Sequence, residues 1–225
     1  MHLAFQHNFS DFDAAIAADA AAITAIGDAL AGSDRPFVTA GVTPAVPGRA
    51  ATEDDLSAFG PTAAREANAT LALSLAERDI RTSVVRLPRS VHGLGDKGFV
   101  PQMAAVSQRQ GVSGFIDDGA QRWPAVHVRD AASLFRLALE EGVAGRRYHA
   151  VDDEGVTLRE MAEAIGRQYG LPVAAVGPEP YGFPGVLMGV DQPASSVQTR
   201  AELGWEPTYP SLLEDIETDG YFRSH

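Results

Sequence analysis

Apolar positions along this chain change period repeatedly, and each change marks an element. Phe12, Ile16, Ala20, Ile23, Ile26 and Leu30 recur at helical spacing, which predicts one long amphipathic helix over residues 10–30. Ser10 is its expected N-cap, with Asp13 three residues on, and Gly32 its stop. The run Pro36-Phe37-Val38-Thr39-Ala40 predicts a buried strand. A Pro- and Gly-rich loop, 43–55, follows, of the kind that carries function on a scaffold. An Ala/Leu helix is expected over 62–78, a strand over 82–87 stopped by Pro88, and a weak helix over 100–108. Then come a short strand at 125–128, an amphipathic helix at 129–141 and a strand at 147–151. Thr157 caps a helix to Tyr169, with Glu160 completing a capping box. A strand at 172–176 and two short helices, 195–203 and 211–218, close the chain. Strands separated by helices imply an α/β fold with a parallel sheet covered on both faces.

Composition narrows the partners. The chain has 225 residues, enough for one full core or a core plus a small lobe. Its 30 acidic against 18 basic residues leave a net charge of -12, which disfavours nucleic acid and anionic membranes. There is no cysteine, so disulfides and thiolate chemistry are excluded. No apolar run reaches the roughly 18–20 residues that span a bilayer, and no secretory leader is visible at the N-terminus. A cytoplasmic protein acting on a small molecule is expected.

Four stretches, in order, resemble the extended and atypical short-chain dehydrogenases/reductases, the NAD-dependent epimerase/dehydratase group. His2-Leu3-Ala4 is similar to the end of the family's fourth strand. Val85-Arg86-Leu87-Pro88 with Val91-His92-Gly93 resembles its "R-P-P…V-Y-G" segment. Trp123 to Ala132 resembles its "H-V-x-D-x-A" junction, and Leu203-Gly204-Trp205-Glu206-Pro207 its "L-G-W-x-P". The resemblance implies a Rossmann-like, doubly wound parallel sheet, truncated at its start, with a small C-terminal substrate lobe. Residues 1–100 would be the partial core, without the first three strands, and 101–225 an interleaved lobe and remaining core. It implies NAD or NADP in a full-length form, with Leu3, Ala4, Phe5, Arg65 and Pro88 near the cofactor.

Two departures qualify the likeness. No strand, G-x-x-G-x-x-G turn and helix precede the first helix, so the chain reads as a fragment or as a gene model begun at an internal methionine. The family's Tyr-x-x-x-Lys pair is also missing: Pro61 and Arg65 fall at those places, and no tyrosine precedes Tyr148. Proton transfer would then fall to His92, at the strand end where the family builds its substrate pocket, to Asp19, which stands where atypical members carry an aspartate, or to Thr39 or Thr43. Asp19 reads equally as a polar residue on an Ala-rich helix, His92 as a loop residue, and either threonine as a strand-end hydroxyl bonded to backbone. His127, between two valines, reads as a structural hydrogen-bonding residue. Trp123 and Gly182-Phe183-Pro184 read as packing elements or pocket walls.

Gly93-Leu94-Gly95-Asp96-Lys97-Gly98 fits G-x-G-x-x-G. Pro88 to His92 separate it from its strand, so a substrate-side loop is the preferred reading. No metal site is expected from the histidine spacing. A non-catalytic binding or regulatory protein of the same fold is the alternative function. Self-association through an exposed N-terminal strand edge at Met1–Phe5 is the expected partner interaction.

Overall fold

The computed structural model describes residues 1–6, 11–57 and 60–222, with 60–62 described in backbone only. The first helix is Phe12–Leu30 (α1). Its N-cap is Asp11, whose carboxylate accepts from the Ala14 amide at 3.2 Å; the expected cap, Ser10, lies outside the described residues. The fully buried line is Ala15, Asp19, Ile23 and Gly27, while Ile26 and Leu30 are half-buried. Small residues on this line let α1 approach closely: a Cβ on Gly27 would stand 2.7 Å from the Leu75 side chain.

A strand, Pro36–Val42 (β1), follows. A helix over Gly60–Ser74 (α2) tightens into a 3-10 turn at Leu75–Arg78 before the next strand, Arg81–Leu87 (β2). After Pro88 come Ser90–His92 (β3), Phe99–Gln110 (α3), Ser113–Phe115 (β4) and Arg122–His127 (β5). Next are Val128–Glu141 (α4), Arg146–His149 (β6), Asp153–Thr157 (β7) and Leu158–Tyr169 (α5). Val173–Ala175 (β8), Phe183–Met188 (α6), Val197–Leu203 (α7) and Leu212–Glu217 (α8) complete the order. Thr157 and Glu160 form the capping box read from the sequence.

β1, β2 and β6 form a parallel sheet in the order β1-β2-β6, with Pro36 opposite Arg81 and Val42 opposite Leu87. α2 packs on one side of it with α1, and α4 packs against β1 and β2. This is a doubly wound α/β arrangement. A second sheet, β3-β5-β7, joins β3 and β5 in parallel and β7 antiparallel; β4 and β8 form a parallel pair. The strand expected at Met1–Phe5 reduces to one bridge, His2 opposite Thr39, with the His2 amide donating to the Val38 carbonyl at 2.8 Å.

Three cores follow. Ile23, Phe37, Ile80 and Val84 pack between α1, α2 and the first sheet. Val38, Val85, Leu134, Tyr148 and Trp205 pack beneath α4. Met103, Trp123, Leu158, Met161, Ile165 and Leu212 form the core of the C-terminal part. β5 joins the last two, sending Val126 into one and Trp123 into the other. No helix among the described residues is long and apolar enough to cross a membrane.

Candidate functional site: a cleft at the strand ends

The carboxyl ends of β1 and β2 open on a cleft of about 680 Å³. Ligands of doubly wound sheets bind in crevices outside the carboxyl ends of the strands. Five of the nine residues assigned to cofactor or chemistry from sequence line it: Leu3, Phe5, Thr43, Arg65 and Pro88. Ala4, Thr39, Asp19 and His92 are not among its walls.

Arg65 is largely committed. One guanidinium nitrogen donates to Asp19 at 2.9 Å, another to the Ala40 carbonyl at 2.8 Å, and the group lies 3.8 Å from the centre of the Phe5 ring. Burial lowers its pKa and the Asp19 charge partly restores it. Asp19 is the hub of this network. It also meets His2 Nε2 at 2.9 Å and the Asn68 amide at 2.8 Å, tying the N-terminal segment, α1 and α2 together. Both Asp19 oxygens thus face partners inside the protein. Pro61, at the tyrosine's place, lies where side chains are outside the described residues.

Thr39 is buried and its hydroxyl donates to the His2 carbonyl at 3.3 Å, as a strand-end hydroxyl satisfied by backbone. Thr43 is buried at the end of β1. Its carbonyl and its hydroxyl oxygen both accept from the Gln192 amide, and the hydroxyl proton meets no acceptor among the described residues.

His92, read from sequence as a residue at the strand end beside a substrate pocket, is not a wall of this cleft. β3 alternates, so Val91 faces the cleft while His92 turns away into the protein. Its Nδ1 meets Asp215 on α8 at 2.6 Å, and its buried Nε2 has no hydrogen-bond partner among the described residues. His127 caps α4 by accepting from the Arg129 amide at 3.2 Å, and its ring stacks on Tyr209 at 4.7 Å. Burial lowers the His127 pKa, against the pull of Asp215.

The Gly93–Gly98 loop is a wall of the cleft through Asp96, Lys97 and Gly98. β3 ends directly before Gly93, so the expected gap between strand and glycine is filled by a strand too short to read. Two amides of the loop are already engaged, that of Asp96 by the Gly93 carbonyl at 3.0 Å and that of Gly98 by Asp96. The Gly98 amide donates to Asp96 at 2.6 Å, and the second Asp96 oxygen accepts from Tyr221 at 2.6 Å. Burial raises the Asp96 pKa, and burial beside Asp96 raises that of Tyr221.

Sequence reasoning missed Arg89, Gln102, Leu187 and Gln192 as cleft residues. Arg89 could have been suspected from its place right after Pro88. Gln192 carries no local signal, since it reaches the cleft across 103 residues to meet Arg89. Trp123 is fully buried as a packing element, while Phe183 lines the cleft. Among the described residues no group of three His, Asp or Glu side chains is placed to hold a metal ion.

Comparison with known proteins adds the relatives. No family model matches the chain. An uncharacterized protein of Schizosaccharomyces pombe is 40% identical over 227 residues, covering 99% of this chain and 77% of that protein. An uncharacterized protein of Saccharomyces cerevisiae is 38% identical, covering 97% and 75%. A UDP-glucose 4-epimerase of Halalkalibacterium halodurans is 32% identical over 123 residues, half of this chain and 35% of the epimerase. Among solved structures, the UDP-glucuronic acid 4-epimerase of Bacillus cereus in complex with NAD superposes with a TM-score of 0.72 at 14% identity, over 94% of this chain and 68% of that one. The dTDP-glucose 4,6-dehydratase of Bacillus anthracis in complex with NAD gives 0.72 at 16% identity, over 91% and 66%.

Proposed function

Because the chain belongs to one family with these fission-yeast and budding-yeast proteins, and has the fold of the NAD-dependent epimerase/dehydratase group of short-chain dehydrogenases/reductases, we propose that it is the substrate-side part of an NAD(P)-dependent oxidoreductase or epimerase-like protein. The observation that supports this reading is the cleft at the carboxyl ends of β1 and β2, lined by five of the nine residues assigned to cofactor or chemistry from sequence: Leu3, Phe5, Thr43, Arg65 and Pro88.

The residues present fit one half of the dinucleotide. Leu3, Phe5, Leu87 and Pro88 offer apolar surface to a nicotinamide ring, and Thr43 and the backbone near Ala40 offer polar groups to a ribose. Residues 1–225 contain no G-x-x-G-x-x-G turn ahead of β1 to hold the diphosphate. The nicotinamide, when bound, would supply or accept a hydride. The chain's own contribution is to exclude water with its apolar walls and to position a hydroxyl. Thr43 is the best-placed proton donor, since its oxygen accepts from Gln192 while its proton meets no acceptor among the described residues. Arg65 fixes the charge beside the site through Asp19, and an arginine so held is a positioning group.

A direct test uses the half-cofactor nicotinamide mononucleotide. Saturation-transfer NMR is expected to show its ring in contact with the protein. Leu87→Trp, which puts an indole into the cleft at the end of β2, is expected to abolish that signal. An undiminished signal in Leu87→Trp would remove the nicotinamide from this cleft.

The alternative is a protein of this fold that binds without turnover. It is favoured by the commitment of Arg65 to Asp19 and by the absence of any tyrosine before Tyr148. In that case neither the wild type nor Thr43→Val shows turnover, and the change acts on ligand affinity alone. For an enzyme, Thr43→Val is expected to lower turnover by about a hundredfold, the scale of a general acid or base.

A further inference from the structure

The cleft's electrostatics run against those of the chain. In a protein of net charge -12, its walls carry Arg65, Arg89 and Lys97 against the single carboxylate of Asp96. Two of these four charges are already answered. Arg65 is paired with Asp19 at 2.9 Å. Asp96 receives hydrogen bonds from the Gly98 amide and the Tyr221 hydroxyl, and its burial favours the neutral form.

Arg89 is the exception. Its guanidinium donates to the Leu187 carbonyl at 2.6 Å, to the Val190 carbonyl at 3.3 Å and to the Gln192 side-chain oxygen, and it lies 4.9 Å from the Trp123 ring centre. All of these partners are neutral. Among the described residues no carboxylate forms an ion pair with it, and withdrawal from water alone pushes its pKa down to about 10. A desolvated cation without a counter-ion is expensive to keep. Here it is held rigid by three acceptors in a cleft wall, the preorganised form of an oxyanion receptor. Lys97, the chain's only lysine, stands exposed on the Gly93–Gly98 loop, with no ion pair to a described residue. Phe99 and Phe183, with ring centres 6.1 Å apart, and Leu187 supply an apolar wall to the same cleft.

We propose that the cleft selects a small organic monocarboxylate, whose carboxylate pairs with Arg89 and Lys97 and whose apolar body lies against Phe99, Phe183 and Leu187. This rests on taking the cleft as the substrate site, and it names the class of substrate. One carboxylate balances the one unanswered, largely desolvated cation; the exposed lysine steers the anion in without having to be buried.

The test compares three molecules with one body: 3-phenylpropionate, 3-phenylpropanol and 3-phenylpropyl phosphate. Calorimetry at low salt is expected to show the acid bound at least tenfold more tightly than the alcohol, and more tightly than the phosphate ester. Arg89→Gln is expected to erase the preference for the acid. Because that change also strips hydrogen bonds from Leu187 and Val190, Lys97→Gln, on the exposed loop, is the second variant. It is expected to weaken the acid about threefold and leave the alcohol unchanged. Equal affinity for acid and alcohol, no binding of the acid at millimolar concentration, or tighter binding of the phosphate ester would each overturn the proposal. None of these readouts involves the nicotinamide, so loss of the mononucleotide signal with retained acid binding sinks the hydride-transfer reading alone.

Discussion

Asp19→Ala is expected to lower the unfolding free energy by about 3–5 kcal/mol, the scale of an uncompensated buried charge. The side chains of Asp19 and Arg65 are only 5% and 9% exposed, so water cannot take over the role of the missing carboxylate. Arg65 would keep the Ala40 carbonyl and the Phe5 ring, both neutral, and the Asn68 amide would lose one of its two acceptors. The double variant Asp19→Ala/Arg65→Leu is expected to recover a large part of the loss, because it removes the stranded cation together with its partner. Urea denaturation of the wild type and the variants measures this. A loss below about 1 kcal/mol in Asp19→Ala, within the range of exposed ion pairs, would show that the network is not an anchor. The carboxylate would then be free for the chemistry that sequence reasoning first assigned to it.

That network shows where sequence reasoning reaches and where it stops. Asp19 was singled out because the resemblance puts it where atypical family members carry an aspartate. Its partners were not legible, because Arg65 and Asn68 lie respectively 46 and 49 residues away. Elements with local signals were read well. Thr157 and Glu160 announce α5 through a reciprocal cap, and the apolar runs of β1 and β2 announce buried parallel strands. β3 and β4 have three residues each and β7 reads Asp-Glu-Gly-Val-Thr, so none presents a period or an apolar run long enough to count. The consequence for the site was large. Without β3, His92 reads as a loop residue free to face a pocket. With it, a one-residue alternation sends Val91 to the cleft and His92 to Asp215. Arg89 and Gln192 are polar residues in coil, and only the folded chain brings them together.

Stability is expected to fall as pH drops from about 6.5 toward 4, with His149 as a principal cause. His149 is fully buried behind Arg86. Its Nδ1 meets the Ser195 carbonyl at 2.8 Å, which that nitrogen satisfies as a donor. Its Nε2 meets an Arg86 nitrogen at 3.3 Å, and since a guanidinium only donates, Nε2 must accept there. The neutral tautomer is therefore locked in, and a proton on Nε2 would face the arginine with no acceptor. Burial first, then the Arg86 charge, push the pKa down to about 3. The unfolded chain binds this proton near pH 6.5, while the folded one does not until about pH 3. The unfolded state thus holds more protons throughout that window, so acidification favours unfolding, and the stability present above pH 6.5 is lost progressively below it. At about 1.4 kcal/mol per unit, the loss attributable to His149 reaches roughly 3 kcal/mol by pH 4. His149→Gln keeps an amide able to serve both neighbours and cannot titrate. Its unfolding free energy, measured by urea titration at half-unit steps from pH 7 to 4.5, is expected to fall with a clearly shallower slope than the wild type's. Parallel slopes in the two proteins would mean that His149 takes up its proton in the folded state, and that the Arg86 contact does not hold it neutral.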